Sequence, residues 1–143
     1  MSAPATTTLR IGELARLAGT TPRTVRYYEE LGLLAQAAGR EAGEHRTYTE
    51  ADLERLRELL RLKSLLGLTL DQLRAVMAGE DARAARTAAW HATDDPVERG
   101  RLIEEAAAHV DALLEHVRRH RRDVEAYESE LLERRRRLQD TRP

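Results

Sequence analysis

Thr21-Pro22-Arg23-Thr24-Val25-Arg26-Tyr27-Tyr28-Glu29 is the stretch from which the rest of the chain can be read. Thr21 offers a side-chain oxygen to cap a helix, and Pro22 falls at the first helical position, where its missing N–H costs nothing. Val25 shares a helical face with Thr21 and Tyr28, and Arg23, Thr24, Arg26 and Tyr27 take the other. A short helix projecting two arginines, a hydroxyl and an aromatic ring suits a DNA major groove. Arginine pairs bidentately with guanine, and Thr and Tyr reach phosphates. Working outward, Ile11, Leu14, Ala15 and Ala18 recur at helical spacing and stop at Gly19. Two helices joined at a glycine, the second with a basic outer face, read as a helix-turn-helix. The plainer alternative is a helical hairpin with solvated arginines.

On the C-terminal side, Gly32 ends the second helix, and His45 to Tyr48 alternates as a strand does. Leu33 to Tyr48 is therefore expected to form a two-stranded hairpin with a long loop, a wing, against the alternative of a linker. Thr49 with Asp52, and Thr69 with Gln72, stand in capping-box spacing. The third helix carries the stripe Leu53, Leu56, Leu59, Leu60, Leu62 and Leu66. The fourth carries Leu70, Leu73, Val76 and Met77, and Gly79 is expected to close it. A DNA-binding domain over residues 9–79 results, behind a disordered N-terminus at 1–8.

Residues 80–95 read as a short connecting helix, Ala82 to Trp90, and a linker. Asp95 and Pro96 then cap a long helix over 96–138, followed by a tail at 139–143. Ile103, Val110, Val117, Val124, Leu131 and Leu138 recur every seven residues, with Ala106, Leu113, His120, Tyr127 and Arg134 at the partner positions. That is a coiled-coil pattern on a helix roughly 60 Å long. So long a stripe needs a second copy, so a homodimer is expected. Its seam residues are Ile103, Val110, Leu113, Val117, His120, Val124, Tyr127 and Leu131.

Composition bounds the chemistry. The net charge of the 143 residues is -1, so nucleic-acid binding must come from a local basic patch. Cysteine is absent, which excludes disulfides, thiolate metal sites and a cysteine nucleophile. No apolar run is long enough to span a bilayer, and the N-terminus lacks the pattern of a signal peptide, so a cytoplasmic protein is expected. His116, His120 and Asp123 are the best metal-ligand candidates, but such spacing arises readily on a charged helix and no metal site is expected. His91 with Asp94 and Asp95 invites an acid–base reading. Nothing supplies a nucleophile or an oxyanion site, so neither an enzyme nor a cofactor is expected. Trp90 and His91 are also the candidate lining of a small-molecule effector pocket, against the alternative of a packing tryptophan.

The chain resembles the MerR family of bacterial transcription regulators. The resemblance is carried by Arg10-Ile11-Gly12-Glu13-Leu14-Ala15, by Arg23 to Glu29, by Gly32-Leu33-Leu34, by Arg46-Thr47-Tyr48, by Asp52-Leu53 and by Leu66 to Leu73. It implies a mainly all-α fold: a winged helix-turn-helix, a second helix pair, and a long C-terminal helix that dimerises as an antiparallel coiled coil. It further implies a homodimer on a near-palindromic promoter operator in double-stranded DNA, distorting that DNA so that RNA polymerase reads the promoter. The residues matching the family's DNA-contacting motif are Arg23, Arg26, Tyr27 and Tyr28 in the second helix, and Arg46 and Tyr48 in the wing. Glu44 and His45 stand where many members have Gly-Tyr, which weakens the case for the wing contacts. Antiparallel pairing would bring His120 close to its own copy. A rival reading is an architectural or interaction protein that binds DNA and uses its coiled coil for partners, without acting on transcription.

Overall fold

The computed structural model describes residues 8–35 and 47–143. In chain order the elements are β1 (Leu9–Arg10), α1 (Ile11–Ala18), α2 (Pro22–Glu30), β2 (Thr47–Tyr48), α3 (Glu50–Leu66), α4 (Leu70–Ala92) and α5 (Pro96–Asp140). The chain divides into two compact units at Lys63–Ser64.

In the first unit, α1 and α2 end in the same way. After α1, Gly19 adopts φ 74° and donates to the Arg16 carbonyl, while Thr20 donates to that of Ala15. After α2, Gly32 adopts φ 73° and donates to the Glu29 carbonyl, while Leu33 donates to that of Tyr28. These paired bonds satisfy carbonyls that a helix end leaves open, and glycine reaches the left-handed region without a Cβ penalty. The second closure also turns Leu33 and Leu34 inward, where both are buried.

The small sheet pairs β1 with β2 antiparallel, Leu9 opposite Tyr48 and Arg10 opposite Thr47. Leu9 and Tyr48 face the core, and Arg10 is exposed. The strand expected at Thr47–Tyr48 is present, but its partner is Leu9–Arg10 and not Leu33–Leu34, which lie in a bend. The remainder of the expected wing, including Glu44, His45 and Arg46, lies outside the described residues. α3 completes this unit with Leu53, Leu56, Leu59 and Leu62 on one buried face. Its start is the expected capping box: Thr49 N–H donates to the Asp52 carboxylate at 2.8 Å, and Asp52 N–H to the Thr49 hydroxyl at 3.3 Å.

In the second unit, the Thr69–Gln72 capping box opens α4, and Asp95 accepts from Val97 N–H at 3.0 Å to open α5 behind Pro96. α4 is longer than expected. It runs without interruption through Gly79 to Ala92, so the expected helix end at Gly79 and the separate connecting helix from Ala82 to Trp90 are absent. The reason is steric: Gly79 lies against the His109 ring on α5, and a methyl group there would collide with it. The glycine is a notch for a neighbouring side chain, not a helix stop.

Candidate nucleic-acid interface

α2 presents the surface that its spacing predicts. Val25 and Tyr28 are buried, while Arg23, Arg26 and Tyr27 are exposed and Thr24 is half-exposed. Thr21 holds the start of the helix by accepting from Thr24 N–H at 3.3 Å, and its hydroxyl lies 3.1 Å from that of Thr24. Arg23, Thr24 and Tyr27 line a shallow depression of about 280 Å³. A guanidinium, a hydroxyl and a phenol edge therefore share one concave face, complementary to base edges and phosphate. Glu29, the acidic residue nearest this face in sequence, is buried, and Glu30 is exposed at the end of the helix.

Two of the expected contact residues are corrected by burial. Tyr28 is 2% exposed and Tyr48 is 1% exposed, so neither ring is presented to DNA. Tyr28 lies three residues after Val25 and so points inward with it. Its ring centroid is 6.1 Å from that of Tyr27, and Lys63 Nζ stands 6.0 Å above it. Tyr48 points inward because the pairing with β1 sets it opposite Leu9. Both are framework for the surface that Tyr27 and the arginines present.

Sequence reasoning missed two positioning arginines on α3. Arg55 Nε donates to the Leu33 carbonyl at 3.2 Å, and Arg57 Nη2 to the Leu17 carbonyl at 3.3 Å. Each cation sits at the electrically negative end of a short helix, Arg57 near that of α1 and Arg55 near that of α2. Nothing in their local spacing marks them, because both partners are distant in sequence. Arg61, on the same helix, grips Glu58 with two hydrogen bonds of 2.9 and 3.0 Å.

In the second unit, the α4–α5 hairpin is held by two histidine–glycine contacts. His109 lies on Gly79 and bonds Glu80 Oε1 through Nε2 at 2.9 Å, and His120 lies on Gly67. These two histidines belong to the line Leu102, Ala106, His109, Leu113, His116, His120, every member of which is buried or half-buried. Ile103, Val110, Leu114, Val117 and Val124 form a second, exposed line. The expected seam thus separates in two. Leu113 and His120 lie on the line that faces this chain's own α4, and His120 rests on Gly67. Tyr127 and Leu131 lie beyond α4's reach, on an exposed segment.

Trp90 and His91 are also parted. Trp90 lines a cavity of about 190 Å³ with Arg86, Thr87, Leu102, Ile103 and Ala106, while His91 is exposed outside it. Arg99 stacks over the Trp90 ring at 4.9 Å, and donates to the Thr93 carbonyl at 2.9 Å and to Asp94 Oδ1 at 3.0 Å. Asp94 and Asp95 are thereby engaged in closing the turn between helices. One turn on, a hydrogen bond from Arg101 holds the exposed Glu98 carboxyl below the usual carboxylate range. Among the described residues, no three His, Asp or Glu side chains converge as a metal site, and no helix is long and apolar enough to cross a membrane.

The Gly79 notch makes a checkable prediction. Alanine is the better helix former by about 1 kcal/mol, yet Gly79→Ala must displace the His109 ring from Glu80, an overpacking cost of about 1–3 kcal/mol. Urea unfolding should show Gly79→Ala as destabilising in the wild-type chain and stabilising in a His109→Ala background. The same sign in both backgrounds would reject the contact.

Residues 9–80 match the family described as MerR HTH family regulatory protein. The chain is 34% identical over 97 residues to the HTH-type transcriptional regulator YfmP of Bacillus subtilis (strain 168), which covers 68% of this chain and 69% of that protein. It is 42% identical over 69 residues to the HTH-type transcriptional regulator ZntR of Escherichia coli (strain K12), and spans about half of that protein's length, 48%. Among solved structures, it is similar to the transcription regulator PbrR691 from Ralstonia metallidurans CH34 in complex with lead(II). That match has 32% identity and a TM-score of 0.52, and covers 90% of this chain and 86% of that one. HiNmlR, a MerR family regulator lacking the sensor domain and bound to promoter DNA, shares the fold at 22% identity. Its TM-score is 0.54, over 86% of this chain and 80% of that one.

Proposed function

The chain belongs to the MerR family of helix-turn-helix DNA-binding transcription regulators, and from that premise we propose that it acts as a homodimer on a near-palindromic promoter operator, distorting the DNA to control transcription by RNA polymerase. The observation that carries this reading is the face of α2, where Arg23, Arg26 and Tyr27 are exposed on a helix anchored by Val25 and Tyr28. HiNmlR, which shares the fold, is bound to promoter DNA in its structure. Two such helices, one from each copy, would enter successive major grooves of a two-half-site operator. Bending or untwisting the DNA between them would couple binding to promoter geometry.

The dimer is argued from the exposed line on α5. An antiparallel second copy whose two-fold axis falls between His120 and Arg121 sets Ile103 level with Leu138, Val110 with Leu131, Leu114 with Tyr127 and Val117 with Val124. All eight of these side chains are exposed in the single chain. The same register sets Arg118 level with Asp123, Glu104 with Arg137 and Glu105 with Arg136. Apolar matches apolar along the seam, and most of the flanking charges are opposite.

PbrR691 is seen with lead(II), but this chain has no cysteine, so no thiolate ligand set is available to it. Chromatin mapping of bound sites, followed by transcription from one of them with purified polymerase, tests the reading. An Arg26→Ala variant should bind the mapped operator about 10- to 100-fold more weakly, the equivalent of about 1–3 kcal/mol for a bidentate base contact. A folded variant with wild-type affinity and specificity would remove Arg26 from the interface. Bound sites without promoters, or unchanged transcription at occupied ones, would favour an architectural role.

A further inference from the structure

We infer that the groove beside Trp90 binds a small aromatic carboxylate. The inference deepens the regulator reading by giving it a ligand class. It rests on that reading only for the use made of the site, because binding is measured in the free protein. Two helices build the groove: Arg86, Thr87 and Trp90 come from α4, and Leu102, Ile103 and Ala106 from α5.

The charge of the ligand follows from Arg86. The neighbouring Arg83, Arg99 and Arg101 each meet an acid, respectively Glu80, Asp94 and Glu98. Arg86 meets none. Its Nε is shielded from solvent with no acceptor among the described residues, and Nη2 reaches the Gly79 carbonyl at the long distance of 3.5 Å. Leaving a half-buried guanidinium so poorly bonded is costly. Among the described residues, Arg86 is also the one charged side chain that lines the groove, with no acid beside it. The Thr87 hydroxyl donates to the Arg83 carbonyl at 3.0 Å, turned back onto its own helix. The groove therefore offers a planar cationic fork, and a carboxylate matches that fork with two parallel hydrogen bonds.

The remaining walls select an aromatic ring. Trp90 supplies a flat face, Leu102 is buried, and Ile103 and Ala106 complete an apolar surround. Arg99 stacks over the indole at 4.9 Å and is itself bonded to the Thr93 carbonyl and Asp94, so the flat wall is held in place before any ligand arrives. The groove measures about 190 Å³. An apolar cavity of about 150 Å³ is enough to hold benzene, so one ring bearing one carboxylate suits this volume.

Trp90 is the only tryptophan in the sequence, so its emission reports on the groove without labelling. The probes are benzoate, benzamide, which keeps the ring without the charge, and acetate, which keeps the charge without the ring. Each is titrated into the full chain without DNA, with excitation at the red edge of tryptophan absorption, where benzoate is transparent. The expected result is a saturable change with benzoate at millimolar concentration or below, and binding of benzamide and acetate about tenfold weaker or worse. Arg86→Gln should weaken benzoate binding by about tenfold or more, because it removes the charge-assisted bonds. Ala106→Leu, which fills the groove, should abolish the response. Helix content by circular dichroism checks both variants. Should either lose helix, magnetisation transfer between the benzoate ring protons and the Trp90 indole in wild type decides instead, and its absence rejects the site. No saturable response to benzoate, equal binding of benzamide or acetate, or unchanged affinity in a folded Arg86→Gln would each overturn the proposal. A chain that binds benzoate but no operator would defeat the regulator reading and leave the site standing, and the converse would remove the site alone.

Discussion

Val117→Asp is expected to convert the protein to monomers and to abolish tight binding to a two-half-site operator. Val117 is 42% exposed in the single chain and lies next to the axis of the proposed dimer, level with Val124 of the other copy. Each dimer would bury two aspartates without a planned partner. An uncompensated polar group costs about 2–7 kcal/mol to desolvate, and an ionised one more. A rise in the dissociation constant on the order of a thousandfold or more follows. Sedimentation of wild type and variant measures the assembly, and titration of whole and half operators measures the coupling to DNA. A variant that remains dimeric at micromolar concentration would move the interface away from the Ile103–Leu138 line. Helix content measured by circular dichroism serves as the control, because Val117 is not needed to cover α4.

The adjacent tyrosines of α2 should separate cleanly in their effects. Tyr28→Ala removes a side chain that is 2% exposed. By analogy with other large aromatic truncations in cores, it should cost about 3–5 kcal/mol and lower Tm by about 10–20 °C. Domains of this size are stable by only about 5–15 kcal/mol, so the helix-turn-helix would be severely weakened. Tyr27, 47% exposed, should behave in the opposite way. Tyr27→Ala should change stability by less than about 0.5 kcal/mol while weakening operator binding several-fold. Calorimetry and operator titration of the two variants test this. Equal thermal shifts in both would contradict the division between framework and contact surface.

Local signals carried much of this architecture, and long-range ones carried the parts that surprised. Thr21, the Thr49–Asp52 and Thr69–Gln72 boxes and the Asp95–Pro96 start all cap the helices that their spacing predicts, because a cap involves only residues within one turn. The buried leucines of α3 follow from period alone. Gly79 was misleading because a glycine late in a helical pattern has two meanings, a stop or a notch. Only the position of His109, thirty residues later, distinguishes them. The partner of β2 was likewise illegible, since pairing Tyr48 with Leu9 is a non-local choice. On α5 a single seven-residue repeat conceals two adjacent apolar lines, one facing α4 and one facing outward. Leu113 and His120 were merged with Val110 and Val117 because periodicity cannot tell which neighbour a line meets. At the candidate interface, the exposed arginines were legible from the helix face. Tyr28 was not: tyrosine serves a phosphate and a core equally well, and the geometry of α2 decides for the core.

The exposed second half of α5 has a thermodynamic consequence. In a lone chain, residues 121–140 are supported by their own backbone and by surface ion pairs such as those of Arg136 with Glu133 and Asp140. Such pairs contribute only tenths of a kcal/mol each, and an unsupported helix of this length is marginal in water. In the proposed dimer, association and the ordering of this segment become one equilibrium. The melting temperature should then rise with protein concentration, and the last five turns should be the first part of the chain to exchange amide hydrogens on dilution. The amount of protein in the cell would thereby set how much of each molecule is folded, and a scarcely expressed copy would be exposed to proteases at the end that the second copy of the proposed dimer would cover.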